Sequence, residues 1–342
     1  MNELNIAILG CGKQAEKHIG GLAATGSSSI FLSDIEPGKA RSMAEKFGVE
    51  YIDNPDEVFS DKRIDVVDIC TPTPAHDELI NKSLDSGKHF FCEKPLTENL
   101  EQAERIADKM AKTGLVGMVG YLYRFAPVFE LGNSLFEKTP ATGKSDVLGK
   151  ITTAGFRLSG RGSHQPWKHM TKSGGGAVNE MLVHMIDLVI WYFGKITGVN
   201  ILALDLFRPK RIINGREYDV DAEDFILVRL ATESGVDIFC HADMVTPAFM
   251  QIVDVQGENG TFAGSIQPQI PSYVYLEGEA GDYPAGKTEL DFGKCNLFEL
   301  QMSHFVNAVK NGTESSKCTV GDSIQVMQAI NNIKQEIELC RK

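Results

Sequence analysis

Short apolar runs alternate with helical stretches through the first third of this 342-residue sequence. The first run, Asn5–Leu9, precedes a helical pattern over Lys13–Thr25. The alternation continues with strands predicted at Ile30–Ser33, Val66–Cys70, His89–Cys92 and Val116–Tyr121, and with helices predicted at Pro37–Phe47, Ala75–Ser86 and Asn99–Thr113. Because strand–helix–strand repeats form right-handed βαβ units, the pattern predicts a parallel sheet covered by helices.

A glycine-rich loop separates the first predicted strand from the first predicted helix. Residues 10–15 read GCGKQA and fit the pattern G-x-G-x-x-G/A in its strand–loop–helix context. Gly10 permits the tight turn, Gly12 lets the backbone approach a pyrophosphate, and Ala15 is small enough for close packing of the helix on the strand. Unpaired N–H groups at the helix N-terminus favour phosphate. The loop therefore predicts a dinucleotide site, with a ligand-free turn as the alternative.

One acidic residue strengthens this prediction. Asp34 ends the second predicted strand, roughly 20 residues after the loop, where a carboxylate accepts hydrogen bonds from the adenosine ribose. A carboxylate at this position also repels a 2′-phosphate, which favours NAD over NADP. A turn residue before Pro37 is the weaker explanation, because the loop and the acid occur together. The two features predict an NAD-binding Rossmann domain.

The pattern changes after about Arg124, where strands follow one another. Helical patterns cover Pro127–Glu137, Ala177–Phe193, Leu297–Val309 and Val320–Leu339, and strand patterns cover Ile151–Leu158, Val199–Phe207, Phe225–Ala231, Val236–Ala242 and Met250–Gln256. Successive strands predict a large, mostly antiparallel open sheet with helices on one face. We expect a Rossmann domain over 1–123 and an α+β domain for substrate binding and oligomerisation over 124–342. The helices of 297–342 are candidates to pack back on the Rossmann domain.

The composition argues against several other classes of protein. The formal net charge is −12, which disfavours nucleic acid as a partner because phosphate contacts need clustered lysine and arginine. No apolar stretch is long enough to span a bilayer, and the N-terminal residues lack the features of a signal peptide. We therefore expect a cytoplasmic protein without a membrane partner. The seven cysteines show no CxxC or zinc-like spacing, which argues against a disulfide framework and structural zinc.

Unusual residues follow two further predicted strands. CTPTPAH occupies 70–76 after one strand, and CEKP occupies 92–95 after the next. Open α/β sheets bind their ligands at these carboxyl ends of strands. Lys94 would project there, and a lysine close to a nicotinamide can donate or accept a proton when its surroundings lower its pKa. On these grounds alone, a surface lysine explains Lys94 about as well.

Taken together, Glu93-Lys94-Pro95, Thr71-Pro72 and the 10–15 loop resemble the Gfo/Idh/MocA family of oxidoreductases. That family includes inositol dehydrogenases, glucose–fructose oxidoreductase and many sugar 3-dehydrogenases. The resemblance covers essentially the whole chain and implies that Lys94 touches both nicotinamide and substrate. The predicted cofactor-binding residues are Gly10, Gly12, Lys13, Gln14, Ala15, Asp34, Thr71, Pro72, His76, Glu93 and Lys94.

A second informative segment begins with three glycines at 174–176. On a helix, Glu180, His184 and Asp187 would lie within roughly 60° of one another, opposite an apolar stripe. A solvated polar face and a metal site are alternatives, and we expect no metal because no second histidine-bearing segment has suitable spacing. The resemblance implies catalysis instead, since the family has GGG, then an Asp, then four residues later a His that His184 matches. Glu180 departs from that Asp by one methylene, and Asp187 matches a further, more structural Asp.

Other positions match the family less specifically. Tyr123 and Arg124 lie at the domain crossover, where the family lines its cleft, although a structural ion pair would also explain Arg124. Trp167 could stack on a sugar ring or pack in the core. Arg157 and Arg161 are better explained as surface residues than as binders of an anionic substrate group. The predicted substrate residues are Lys94, Tyr123, Arg124, Trp167, Glu180 and His184.

The sequence thus predicts an NAD-dependent dehydrogenase acting on a secondary alcohol of a sugar, cyclitol or related polyol. Hydride would pass between the carbinol carbon and nicotinamide C4, and the hydroxyl proton to His184 or Lys94, while Glu180 holds His184 or a neighbouring hydroxyl. A glycoside-cleaving enzyme that retains NAD and oxidises transiently, and a non-catalytic NAD sensor, are the alternatives. The open sheet predicts a homodimer or homotetramer. The loops 159–172 and 267–286 would set the substrate, which the sequence does not name.

Overall fold

A computed structural model describes residues 3–26 and 28–340. The chain divides into two compact units, each made of two separate segments. The first unit contains the residues up to Phe125 together with Lys294–Met327. The second contains Ala126–Gly293 together with the residues from Gln328 onward.

A six-stranded sheet forms the centre of the first unit. Its strands are β1 (Leu4–Leu9), β2 (Ser28–Ser33), β3 (Glu50–Tyr51), β4 (Val66–Ile69), β5 (His89–Cys92) and β6 (Gly117–Val119). Their spatial order is β3-β2-β1-β4-β5-β6, and all neighbouring strands are parallel. The predicted parallel sheet is confirmed. The order reverses between β1 and β4, which is where open parallel sheets bind ligands at the carboxyl ends of their strands.

The helices that connect these strands begin and end where the sequence provides capping residues. They are α1 (Lys13–Thr25), α2 (Pro37–Phe47), α3 (Pro55–Ser60), α4 (His76–Asp85) and α5 (Leu100–Met110). Helix α1 begins after Gly12 and ends at Gly26, which adopts the left-handed conformation. Helix α2 has Pro37 in its first turn. The N-cap side chain of α5, Asn99, accepts a hydrogen bond from the Gln102 N–H.

A nine-stranded sheet forms the centre of the second unit. The strands of this unit are β7 (Lys144–Ser145), β8 (Gly149–Ser159), β9 (Ile196–Asp205), β10 (Lys210–Ile213), β11 (Arg216–Asp219), β12 (Phe225–Thr232), β13 (Asp237–Asp243), β14 (Met250–Gly257), β15 (Gly260–Gly264), β16 (Ser272–Leu276) and β17 (Gly286–Leu290). The sheet runs β17-β16-β15-β14-β8-β13-β12-β9, with β7 also paired to β8, while β10 and β11 form a separate hairpin. Within the described strands of this unit, only β8 and β13 pair in parallel. The predicted antiparallel character is confirmed.

The core of the second unit lies between this sheet and helices on one of its faces. These helices are α6 (Pro127–Phe136), α7 (Thr139–Thr142) and α8 (Val183–Phe193), and a π-helical turn at Val178–Leu182 leads into α8. Phe136 of α6 meets Tyr192 of α8 with ring centroids 5.3 Å apart. Phe156 of β8 approaches Phe193 edge to face at 6.2 Å. The predicted arrangement of helices on one sheet face is confirmed.

Two helices complete the chain, α9 (Leu297–Asn311) and α10 (Val320–Cys340). Helix α9 packs directly against α1 in the first unit. At Gly21 of α1 the helices come so close that a Cβ atom would lie 2.7 Å from the Phe298 carbonyl oxygen. No helix within the described residues is both long enough and apolar enough to cross a membrane.

The segment 267–286 differs from expectation. It was expected to be a substrate loop, but it contains strand β16, which pairs with β15 and β17. These strands are short hairpin partners at the sheet edge, where alternating polar residues weaken the apolar signal.

Candidate active site

The phosphate loop lies between β1 and α1 and has the geometry that the sequence predicts. Gly10 has φ +93°, and a Cβ atom there would lie 3.0 Å from backbone atoms of Cys70 and Thr71. Nothing in the described chain lies within 4 Å of a Cβ atom built at Gly12. Gly12 is the N-cap of α1 and no side chain caps that end. The first-turn N–H groups of α1 are therefore available to an anion.

Asp34 follows β2 and fixes the shape of this loop. One carboxylate oxygen accepts the Cys11 N–H at 2.8 Å, and the other accepts the Glu36 N–H at 2.9 Å. Since a carboxylate offers about four acceptor positions, each oxygen keeps one for another donor. Asp34 can thus shape the loop and still accept hydroxyl groups of a ribose.

Thr71 and His76 follow β4 in the segment that contains Pro72. The Thr71 hydroxyl oxygen is buried and has no hydrogen-bond partner among the described residues. The ring nitrogens of His76 lie 2.9 Å from the Thr71 carbonyl and 2.9 Å from the Pro95 carbonyl. His76 therefore ties the two strand-end motifs together. An unsatisfied buried hydroxyl beside an uncapped helix N-terminus fits a polar ligand at this edge of the sheet.

Glu93 follows β5 and points into the unit rather than outward. One of its oxygens accepts from Gln14 at 2.7 Å and lies 3.0 Å from His18 Nε2. The other oxygen accepts the Lys94 N–H at 3.2 Å. Burial alone would raise the pKa of Glu93, but His18, Lys94 and Gln14 together lower it to about 2. The motif thus supplies a largely buried anion at Glu93, followed directly by Lys94.

The second unit contains the polar segment with Glu180 and His184. The helix predicted over Ala177–Phe193 contains a π-helical turn near its start, so Val178–Leu182 lack the spacing of an α-helix. Gly176 has φ +111° and precedes the Ala177 N–H, which donates to the Glu223 carbonyl. Irregular backbone of this kind often occurs at functional sites.

Glu180 pairs with a cation that the sequence reasoning did not select. Lys168 Nζ lies 2.6 Å from a Glu180 carboxylate oxygen and 5.2 Å from the centre of the Trp167 ring. Glu180 thus forms an ion pair with Lys168, and the expectation that it also holds His184 or a neighbouring hydroxyl stays a prediction. Trp167 is 44% exposed, so it is not a core residue. Asp187 is buried, which excludes a fully solvated polar face.

The residues that match the family less specifically are held mainly by contacts within the protein. Arg124 is buried and forms an ion pair with Asp322 at 3.2 Å, as its structural explanation requires. Tyr123 lies beside it, and burial raises the pKa of its hydroxyl. Arg157 donates to the Ser159 hydroxyl, and Arg161 donates to the Pro247 carbonyl.

Comparison with known proteins identifies the family. The model of the Gfo/Idh/MocA oxidoreductase family with its NAD-binding Rossmann fold matches residues 4–121, and the model of the family's C-terminal domain matches residues 141–263. The chain belongs to the Gfo/Idh/MocA family. Its Rossmann unit accordingly binds NAD, and the chain is an oxidoreductase.

Several members of the family resemble this chain along most of its length. The scyllo-inositol 2-dehydrogenase (NAD(+)) of Bacillus subtilis is 28% identical over 323 residues, which cover 91% of this chain and 87% of that protein. The myo-inositol 2-dehydrogenase of Thermotoga maritima is 26% identical over 82% of this chain and 80% of its own. A solved levoglucosan dehydrogenase in complex with NADH and levoglucosan shares the fold, with a TM-score of 0.85 at 20% identity, 98% of this chain and 97% of that chain being covered.

Three residues that contact predicted site residues, or one another, were not themselves predicted from the sequence. Lys168 directly follows Trp167, but nothing in the sequence marks its distance from Glu180. Asp68 did leave a signal, because it is a carboxylate inside the otherwise apolar strand Val66–Ile69. His18 lies one helical turn after Gln14, and its partners are 50 and 75 residues away in sequence.

Proposed function

We propose that this chain catalyses the reversible NAD-dependent oxidation of a secondary alcohol of a cyclitol or sugar. The observation that carries the proposal is the convergence of the phosphate loop, Asp34 and Lys94 at the carboxyl ends of β1, β2 and β5. The inositol dehydrogenases named above, and the levoglucosan dehydrogenase, support this substrate class. The shared chemistry is a ring carbon that carries a hydroxyl group.

The residues of the first unit would hold the cofactor in distinct ways. The uncapped first turn of α1 suits its phosphates, and the free acceptor positions of Asp34 suit its adenosine ribose. Thr71, with its unsatisfied hydroxyl, is a further candidate contact. When bound, NAD supplies the nicotinamide that takes or gives the hydride.

Two residues are candidates to take the hydroxyl proton. Lys94 follows the largely buried carboxylate of Glu93 in the first unit. His184 lies in the first turn of α8 in the second unit. One of them would accept the proton while the other orients the oxygen.

The pair of Lys168 and Glu180 would orient substrate rather than move protons. Held at 2.6 Å, each group limits the rotation of the other, and both are largely buried. The ammonium group can donate to a ring hydroxyl while the carboxylate accepts from a neighbouring one. The exposed Trp167 ring beside them offers an apolar surface to the face of a sugar.

The test is a panel of inositols, sugars and glycosides with NAD, followed by rate measurements on variants. We expect Lys94→Ala and His184→Ala to lower the turnover rate by at least roughly 100-fold, as loss of general acid–base groups does. Lys112→Ala, an exposed lysine beyond α5, serves as the matched control. Near wild-type rates in both variants, or no turnover of any polyol by the wild-type protein, would refute the proposal.

We further infer a cytoplasmic homodimer or homotetramer formed through the open sheet face. Phe239 of β13 and Tyr275 of β16 are 40% and 47% exposed on strands whose alternate residues are buried. Seven free cysteines suit a reducing compartment. Light scattering should give a multiple of the chain mass, and Phe239→Glu should shift it toward the monomer. A monomeric wild-type protein at micromolar concentration would contradict this inference.

A further inference from the structure

Three ionisable side chains that the proposed proton transfer does not use lie together inside the first unit. His18 of α1 is fully buried. Its Nδ1 lies 2.9 Å from an Asp68 carboxylate oxygen on β4, and its Nε2 lies 3.0 Å from a Glu93 carboxylate oxygen. One imidazole ring thus bridges two carboxylates.

The geometry determines the charge of this ring. A neutral imidazole has one N–H donor, whereas here both nitrogens face carboxylate oxygens. Burial by itself would lower the pKa of His18, but Asp68 and Cys70 together, through their charges and hydrogen bonds, raise that pKa well above its usual value. Glu93 remains ionised because its own pKa is about 2. The ring is therefore an imidazolium, and one positive charge is shared between two negative ones.

The other groups described around this ring are compatible with that charge state. The Cys70 thiol lies 3.2 Å from Nδ1, and burial together with Asp68 raises its pKa, which keeps it a neutral thiol. Gln14 Nε2 lies 3.5 Å from His18 Nε2 because both nitrogens donate to the same Glu93 oxygen. The rings of Phe91 and Phe298 lie 5.3 Å and 5.9 Å from the imidazole and exclude water. Lys94 is the other charged group that acts on Glu93.

A metal site is the competing explanation for part of this cluster. The donor atoms of His18, Asp68 and Cys70 lie within 4.8 Å of one another. However, the 2.9 Å from Nδ1 to Asp68 is a hydrogen-bond length, whereas donors around one zinc ion stand roughly 3.3 Å apart. A protonated thiol and a protonated ring are also not metal ligands. The cluster is a hydrogen-bonded charge network.

This network reaches the predicted site through a single carboxylate. The Glu93 oxygen that faces His18 also accepts from Gln14 of the phosphate loop at 2.7 Å. The other Glu93 oxygen holds the Lys94 N–H. Gly120 closes the remaining side, since a Cβ atom there would lie 3.0 Å from Glu93 Oε1. Rotation of the carboxylate would thus disturb both the loop and Lys94.

We propose that His18 is a positioning residue: as a buried cation between Asp68 and Glu93, it holds the phosphate loop and Lys94 in one fixed arrangement. This role rests on the proposed dehydrogenase function. It also gives His18 an electrostatic effect, because the imidazolium offsets the attraction of Glu93 for the Lys94 ammonium. Without His18, the Lys94 ammonium would hold its proton to higher pH.

Two measurements test this role. The first is nitrogen-15 NMR of histidine-labelled wild-type protein, with His18→Gln used to assign the signal. We expect His18 to remain an imidazolium at pH values where an ordinary histidine is already neutral. A neutral ring at pH 7, or one equivalent of bound metal that His18→Gln loses, would overturn the proposal even if the enzyme is active.

The second measurement is kinetic. His18→Gln should lower kcat by on the order of 10-fold to 100-fold, weaken NAD binding in calorimetry, and move the acidic limb of the kcat/KM profile to higher pH. Asp68→Asn, which keeps the ring and its bond to Glu93 but removes the charge that favours the imidazolium, should lower kcat less than His18→Gln does. His89→Gln, at the opposite end of β5, is the control. A His18→Gln enzyme that loses only thermal stability, with unchanged kcat and pH profile, would show a merely structural role. If the wild-type protein oxidises no polyol, the NMR and NAD-affinity results still decide the charge and positioning of His18.

Discussion

Replacing Asp34 with asparagine separates two roles that one side chain performs. Asp34 shapes the phosphate loop through the N–H groups of Cys11 and Glu36, and its two remaining acceptor positions suit the adenosine ribose. In the asparagine variant the remaining oxygen can keep the half-buried Cys11 N–H. The Glu36 N–H is exposed and can turn to water, so we expect a loss in unfolding free energy below about 1 kcal/mol.

The loss for the cofactor is larger. Asparagine removes one of two charged acceptors and makes the other neutral, and charge-assisted hydrogen bonds are roughly twice as strong as neutral ones. We expect about 2–3 kcal/mol weaker binding of NAD, which corresponds to a dissociation constant on the order of 30-fold to 150-fold higher. Binding of NADP should improve relative to NAD because the charge that repels its 2′-phosphate is gone.

Calorimetric titration of both cofactors and a melting curve measure these effects without any substrate. Asp53→Asn is the matched control, since Asp53 is exposed and pairs with Arg41 away from the loop. Unchanged NAD affinity and an unchanged NAD-to-NADP ratio in a normally folded Asp34→Asn protein would refute the reasoning.

Three further predictions concern stability. Gly10→Ala should lower the free energy of unfolding, measured with denaturant, by about 2–4 kcal/mol, because it combines positive φ with a backbone clash. Its control is Gly20→Ala within α1, where a Cβ atom meets open space and alanine should raise the free energy of unfolding by up to about 1 kcal/mol. Equal effects of the two substitutions would contradict this prediction. Asp224→Ala should lower the free energy of unfolding by about 3–5 kcal/mol, because it leaves its buried arginine partner unpaired. Asp237→Ala, which breaks an exposed ion pair, should lower it by less than about 1 kcal/mol. Similar melting temperatures of the two variants would contradict this prediction. The depressed pKa of Glu93 contributes stability that is present above pH 4.5 and lost as the pH falls toward 2. In Glu93→Gln the free energy of unfolding should therefore depend less on pH across that window. The same pH dependence in the variant and the wild-type protein would contradict this prediction.

Local signals allowed much of the first unit to be predicted. Helix α1 has the bounds that the sequence indicates, Lys13–Thr25, because a glycine flanks each end. The parallel sheet followed from the alternation of strands and helices. The short strand β3 and the helix α3 were missed, since two and six residues give too little periodicity.

Non-local contacts explain what could not be predicted. The ion pair of Lys168 and Glu180 depends on a π-helical turn that a regular 100° spacing does not anticipate. His18 looked like one more residue of an amphipathic helix. Its partners, on β4 and directly after β5, come together only through the order of the parallel strands. The spacing of residues in the sequence therefore predicts the motifs, but not the ionised side chains that contact them in the fold.

The division of the first unit into two segments has a consequence for biosynthesis. The segment Lys294–Met327 is synthesised after residues 126–293 of the second unit, although its helix α9 packs against α1 of the first unit. Phe298 and Phe305 of α9 supply ring contacts to His18 and Phe91. On the ribosome the NAD-binding half therefore stays unfinished until the residues of α9 have been synthesised. A gene fragment that stops after Phe125 would encode a Rossmann half without α9, and therefore without the aromatic side chains that pack against His18 and Phe91.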